Sequence, residues 1–339
     1  MAVVRSFSNA FEVVEHTEVL KLIPNAWTLT EELGLFQKEF ISQDVLTFEE
    51  NKSTLGLITD HVRGTRSNVN KDDTRRLHSY AIPHLTADDM VSPSDLAGKS
   101  RFGDLNQAET EAAVVARKLE RIMRSWAITK EAARMHTITT GTAYAPNATV
   151  AYDFYADAGV TRKTIDFTLG TATTNVVEMG EQAIAHIQDN MLAGEVPMGG
   201  YIVLCSPLFF GRLIKQANVI EAFKYYQRSQ DPMASRLGGK YRTFDFGGLS
   251  YVEYRAMKPD GTPMIPVGDA YVVPAGTMDS MVTYYGPANR FDSVGQTAEE
   301  TYAWSFKDQK GTRLDIETES NFLSILKRPQ VVVRAFTSN

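Results

Sequence analysis

The residues of this chain that could do chemistry are few and far apart. Six histidines, His16, His61, His78, His84, His136 and His186, show no spacing of the kind that metal ligands need. His78 and His84 would share one face of a strand, where packing or surface roles are the expectation. Cys205 is the single cysteine, so no intrachain disulfide is possible. It closes the apolar run 201–205 just before Ser206 and Pro207, and no His or Asp partner for a nucleophile is identifiable, so a small buried role is expected. The acidic pairs Asp72 and Asp73, Asp88 and Asp89, and Glu299 and Glu300 read as solvated loop faces rather than ion sites. Arg63, Arg66, Arg75 and Arg76 form a cluster that could hold phosphate. Acids are interleaved with it, so a mixed salt-bridging contact to protein is an equal reading. There is no Gly-rich phosphate loop and no nucleophile elbow. No catalytic, cofactor-binding or metal site is expected, and no cofactor.

The totals agree with that. A chain of 339 residues that is 43% hydrophobic can bury a large core, in roughly one to three domains. With a formal net charge of -6 it does not resemble a basic nucleic-acid binder. The first fifteen residues contain no apolar core of a signal peptide. The longest apolar runs, 201–205 and 207–210, are far too short to span a bilayer, so a soluble chain without a membrane partner is expected.

The elements that must position these residues are unusual. Residues 104–135 read as one amphipathic helix of roughly 45 Å at ~1.5 Å per residue. Leu105, Ala108, Ala112, Val115, Leu119, Ile122 and Trp126 recur at steps of three and four, giving a thin apolar seam. Asp104 would cap the start with Gln107, and Arg121, Arg124, Lys130 and Arg134 would suit the dipole at the end. No second helix of this kind is present to pair with it, so it reads as a strut laid on a sheet. Residues 1–44 suggest an extended arm. Strands at 45–48, 53–58 and 77–84 flank the polar stretch 61–76, a hairpin too long to bury its own faces and therefore suited to packing on a neighbouring subunit. Strand-like pieces follow at 148–155 and 161–169. From 172 to 275 helix and strand alternate, with helices at 174–192 and 207–226 and strands at 201–204, 241–246 and 249–255. Strands return at 281–285, 301–306, 312–319 and 331–336.

The C-terminal half carries a resemblance. GGLSYVEYR at 247–255 and MIPVGDAYVVPAG at 264–276 resemble the lambda-type major capsid protein E family of tailed phages. Tyr285, Gly286, Pro287 and Ala288 fit that family's Ala-Pro segment, with Gly in place of Ala. ETESNFLSILKRP at 317–329 looks like its terminal strand and turn, and Thr129, Lys130 and Glu131 followed by Gly141 resemble its helix-end pattern. The similarity extends in order over almost the whole chain.

The resemblance implies the α+β Hong Kong 97 capsid fold: N-terminal arm 1–44, E-loop 45–100, peripheral domain with spine helix 101–171, axial domain 172–275, and C-terminal peripheral strands 276–339. It implies a structural protein of the virion, assembled in the host cytoplasm. Its copies would form hexamers and pentamers that close into an icosahedral head around DNA held non-specifically. Implied partners are a scaffolding protein, separate because no long N-terminal scaffolding segment is seen, a portal and a decoration protein. Arg63, Arg66, Lys71, Arg75, Arg76 and Tyr80 are the expected E-loop contacts to a neighbouring subunit. Val115, Leu119, Ile122 and Trp126, with Leu105, are the expected spine seam. Some capsids of this fold join an E-loop lysine to a neighbour's asparagine. Lys52 and Lys71, with Asn289 and Asn321, would be the candidates here, but both lysines stand in polar, acidic stretches that keep the amine charged, so no crosslink is expected. The readings set against this one are an encapsulin-type shell and a soluble enzyme with a dispersed site.

Overall fold

In the computed structural model the described residues are 14–15, 28–52, 74–96, 100–101, 104–108, 111–171, 173–191, 197–224, 236–237, 240–277 and 279–338. Their longest element is the 30-residue helix Glu111–Thr140. Its first half lays Val114, Val115, Leu119, Ile122, Met123 and Trp126 into a core shared with Val91, Ile316 and Phe322. Trp126 also donates its indole N–H to Thr318 Oγ1 at 2.9 Å.

Both ends of this helix differ from the expectation. Asp104–Ala108 is a strand paired antiparallel with Ser100–Arg101, so Leu105 and Ala108 lie outside the helix and Asp104 does not cap it. Two apolar residues three apart are too few to fix the helical period, and here cross-strand pairing wins. Ala112, on the helix, is exposed. The far end continues past Met135 to Thr140 despite the β-branched run 137–140. Arg162 makes this possible by donating to the carbonyls of Ile138, at 2.6 Å, and Thr139, two acceptors the last turn cannot satisfy itself. Gly141 then stops the helix at φ 78°, where a side chain would also collide with the Tyr155 ring.

Two sheets support the helix. One has the order Val14–Glu15, Tyr302–Lys307, Leu314–Glu319, Asp89–Val91, all antiparallel. In the other, Met281–Gly286 lies between antiparallel Asn321–Leu326 and parallel Gln37–Phe40. A seven-stranded sheet follows the order Arg236–Leu237, Tyr241–Phe246, Leu249–Glu253, Tyr201–Cys205, Asp269–Pro274, Val333–Phe336, Thr164–Asp166. Its last two strands come from segments 276–339 and 101–171, so the sheet does not end at the expected boundaries of 172 and 275. Residues 148–155 do not form the expected strand. Asp153 accepts from the backbone N–H groups of Tyr155 and Ala156 and starts the helix Phe154–Ala158 instead. The single helix expected at 207–226 is two, Pro207–Leu213 and Ala217–Lys224. They break where buried Gln216 turns its side-chain amide to the carbonyls of Leu169 and Thr171.

The second half of the long helix is where polar chemistry is buried. Lys130, Glu131 and Arg134 face inward, and Arg134 is only 1% exposed. Lys130 Nζ lies 3.0 Å from Glu300 Oε1 and 2.8 Å from Thr301 Oγ1. Lys38 bridges Glu300 at 2.9 Å and Glu31 at 2.5 Å. Arg134 reaches Glu31 at 3.5 Å and the Tyr285 hydroxyl at 3.3 Å. Glu131 accepts from the Thr30 N–H at 3.2 Å, from the Thr30 hydroxyl, and from the Tyr254 hydroxyl at 2.9 Å. Burial pulls Lys130 down to about 8 against the upward pull of Glu300. Burial alone would raise Glu300, but Lys130 and Lys38 hold it down at about 2. Burial raises Glu131 despite its Thr30 and Tyr254 donors. Lys130 and Arg134, expected to suit the dipole at the helix end, are therefore interior residues that lie before the last turn. Glu300, expected on a solvated loop face, is half-buried beside them.

Leu119→Asp should lower stability by more than about 3 kcal/mol, because it places a carboxylate against aliphatic neighbours. Glu120→Ala, which removes one half-exposed pair with Arg124, should change it by less than about 1 kcal/mol. Urea denaturation of purified subunits compares the two, and equal damage would show that the helix has no buried face.

Glu300 contributes stability that is present above its unfolded value near 4.5 and is lost as pH falls toward about 2. Its side chain is 32% exposed, so screening leaves roughly 1–2 kcal/mol at neutral pH. The stability difference between wild type and Glu300→Gln should shrink across pH 4.5 to 2, and a difference constant over that range would exclude this ionic role. Glu131→Gln sets an amide donor against hydroxyl and N–H donors and should cost about 2–3 kcal/mol in the same assay.

Candidate assembly surfaces

Val45–Lys52 and Thr74–Ala81 pair antiparallel from Val45 opposite Ala81 to Lys52 opposite Thr74. The tip of this hairpin, with Arg63, Arg66, Lys71 and the strand expected at 53–58, lies outside the described residues. Alternation along the strands sorts the two faces of the root. Opposed Leu46 and Tyr80 are both buried, and opposed Phe48 and His78 stack with ring centroids 5.3 Å apart. On the other face Leu77 is 68% exposed, and Arg75 stands 4.0 Å from Glu49.

The root is fastened to its own subunit. Tyr80 donates to Asp157 Oδ2 at 3.0 Å and packs edge-on to Tyr152 and Phe154. The Ala81 N–H donates to the Tyr152 hydroxyl at 2.9 Å, and Arg76 reaches the Asp157 carbonyl at 3.5 Å. The hairpin is thus not without support in its own chain. Tyr80, expected among the contacts to a neighbour, is 6% exposed and serves as an anchor. What the sequence missed is Asp157, whose signal was a lone acid two residues before Gly159.

The other candidate residues stand apart from one another. His84 Nδ1 lies 3.2 Å from Glu319 Oε1, and His136 Nε2 lies 3.0 Å from Thr142 Oγ1. Cys205 is fully buried in its strand, and burial pushes its thiol well above the usual range, which disfavours the nucleophilic thiolate. Asp89 pairs with Lys118 at 2.9 Å. Among the described residues no three His, Cys, Asp or Glu side chains are grouped to hold a metal ion, and no helix is long and apolar enough to cross a membrane. Asn321, a candidate crosslink acceptor, is buried with its amide in use. Nδ2 donates to the Pro287 carbonyl at 2.8 Å and to Glu319 at 2.5 Å, and Oδ1 accepts from the Leu85 N–H at 3.1 Å. The arrangement offers a packed frame with an anchored hairpin root, and no reactive centre within the described residues.

Known proteins resemble this chain in sequence and in fold. The chain is 40% identical to the major capsid protein of Pseudomonas phage KPP10, over 98% of this chain and 99% of that one. It is 24% identical to the major capsid protein of Salmonella phage Felix O1, over 97% and 96%. The mature capsid of bacteriophage PhiM1 has a similar fold, with TM-score 0.56 at 14% identity over 94% of this chain and 89% of that chain. So has the capsid of the cyanophage P-SCSP1u, with TM-score 0.55 at 13% identity over 93% and 90%. The fold is therefore the α+β phage capsid fold that the resemblance implied. The sequence profile described as phage major capsid protein E matches residues 12–337, and the chain belongs to that family.

Proposed function

We propose that this chain is the repeating structural subunit of a phage head, with hexamers and pentamers closing into an icosahedral shell around DNA. The observation that carries this is the end-to-end 40% identity with a phage major capsid protein. The reading makes the protein a component of the virion whose work is mechanical rather than catalytic. Residues 1–44 are its arm, with Leu29–Glu32 and Gln37–Phe40 packed into the frame. Residues 45–100 are its E-loop, with the anchored root holding a tip that reaches the next subunit. Residues 101–171 and 276–339 are mainly its peripheral domain, and 172–275 its axial domain. Arg63, Arg66 and Lys71 on the tip, with Arg75 and Arg76 at the root, supply intersubunit contacts to acidic groups. A shell of many identical copies needs repeated heterologous contacts whose rotation closes, and projecting segments enlarge each of them. The remaining partners in this reading are a scaffolding protein, a portal and a decoration protein.

Co-expressed with its own scaffolding protein, the chain should elute far above 37.7 kDa and show closed shells in negative stain. Replacing 53–73 with a short Gly-Ser linker should leave a cooperative thermal transition, because Leu46, Tyr80 and the rest of the core remain. The same variant should form no closed shells. Normal shells from it would remove the tip from the assembly interface.

Mature particles boiled in denaturant should run as a single band near 37.7 kDa, because the Asn321 amide is buried and bonded and the candidate lysines lie among acids. A ladder of multimers that survives reducing denaturation would show covalent locking of the shell.

A further inference from the structure

The first half of the long helix buries an apolar seam and turns a basic ridge outward. Ala112, Ala116, Arg117, Arg121, Arg124 and Ser125 are all exposed. The three arginines follow one another at steps of four and three. They therefore stand in line over roughly 10 Å of the helix axis, at ~1.5 Å per residue. Glu120 is the acid among them. It pairs with Arg124, and with both side chains about half-exposed water screens that pair. Arg121 makes no ion pair among the described residues.

Two contrasts set this ridge apart. Exposed cations elsewhere stand beside carboxylates of their own: Arg255 lies 2.7 Å from Glu253, Lys307 2.8 Å from Glu111, and Arg313 3.1 Å from Asp315. The ridge also lacks an apolar anchor. Among the described residues, the exposed large apolar side chains, such as Leu77, Met257, Val267 and Phe291, all lie off this helix. Contacts between proteins are built around buried aromatic and aliphatic anchors. A line of cations without one suits a polyanion, whose affinity comes from its phosphates. Arginine fits that partner well, because it stays charged and can bond two phosphate oxygens at once. The short side chains of Ala116 and Ser125 leave a rod-like polymer room to lie against the helix.

We propose that Arg117, Arg121 and Arg124 are the subunit's contact with packaged double-stranded DNA, so that the exposed face of the long helix lines the inside of the head. The inference rests on the head-shell reading above and names the residues of its DNA contact. The chain as a whole carries a net charge of -6, so a shell made of it repels DNA in general. Local lines of cations then decide where the polymer approaches the wall. Phosphate contacts position a duplex without reading its sequence, as a container for a whole genome requires. Three contacts per copy are weak singly and numerous over a shell, and such contacts let DNA slide along the wall as it enters.

The test titrates purified, unassembled full-length subunits into a short fluorescent duplex of mixed sequence at a series of salt concentrations, read by anisotropy. Wild-type affinity should fall as salt rises. Arg121→Gln should flatten the slope of log affinity against log salt by about 0.9, and the triple variant Arg117→Gln, Arg121→Gln, Arg124→Gln by about 2.7. Thermal midpoints should match wild type, because all three side chains are exposed. Lys215→Gln, an exposed lysine between the helices Pro207–Leu213 and Ala217–Lys224, should leave the slope unchanged; an equal effect there would remove the ridge's special role. Closed shells formed with the scaffolding protein should bind added duplex far more weakly than subunits do, because the ridge is then inside. Shells that bind it as tightly as subunits, with the same loss in the triple variant, would put the ridge on the outer face and overturn the proposal. An unchanged slope in the triple variant would overturn it as well. So would loss of shells from a triple variant that keeps its thermal midpoint, since the ridge would then be a protein partner's site. Absence of shells from the wild type would overturn the head-shell reading, and the DNA-lining role with it, even where the salt slopes hold.

Discussion

The buried ionic belt on the second half of the long helix is the constraint on which the rest of the structure depends. Two carboxylates, Glu31 and Glu300, meet three cations, Lys38, Lys130 and Arg134, while Glu131 accepts from Thr30 and Tyr254. Buried ion pairs add little net stability over a well-packed apolar core, but removing one partner is expensive. Their contribution here is positional. An apolar stripe such as Val115, Leu119 and Ile122 tolerates small slides along its partner sheet. A guanidinium between Glu31 and Tyr285, and a carboxylate receiving Thr30 and Tyr254, do not.

Through this belt one helix sets the geometry of everything that leaves it. Thr30 and Glu31 place the short helix Leu29–Glu32 that follows the N-terminal residues, and Lys38 places the strand Gln37–Phe40. The Tyr254 hydroxyl ties the helix to the segment that follows Leu249–Glu253 in the seven-stranded sheet. Arg162 makes a second tie. While it caps the carbonyls of Ile138 and Thr139, its guanidinium lies 4.8 Å from the Tyr155 ring and 5.5 Å from the Tyr271 ring of the same sheet. The seven-stranded sheet is thus held at two points along one strut.

A shell subunit needs that stiffness alongside parts that project. The hairpin root meets both requirements. Leu46, Phe48, His78 and Tyr80 lock it to the subunit, while Val45 and Leu77 on its opposite face stay open. The loop 287–301 repeats the pattern on a smaller scale, with Arg290 laid on Trp304 and Phe291 turned outward. In both places a polar or aromatic clamp fixes the backbone, and an apolar residue beside it is exposed.

How much of this was legible in the sequence follows from the range of each interaction. Local periodicity found the long helix, because Val115, Leu119, Ile122 and Trp126 repeat at the helical period whatever surrounds them. Alternation found the hairpin root, and ordered motifs such as 247–255 and 264–276 carried the family. The same periodicity continued to Lys130 and Arg134 after Trp126, and charged residues standing at seam positions were the unread sign of the belt. Their partners, Glu31 and Glu300, lie 103 and 170 positions away, and no local rule brings them together. The helix ends were decided in the same way: at the start by pairing with Ser100–Arg101, at the finish by Arg162. Sequence by itself determined which faces are apolar and which family the chain resembles, because those depend on residue type and spacing. Only the tertiary structure decided which charges are buried and where the helix stops, because each of those is a bargain between groups that meet only once the chain is folded.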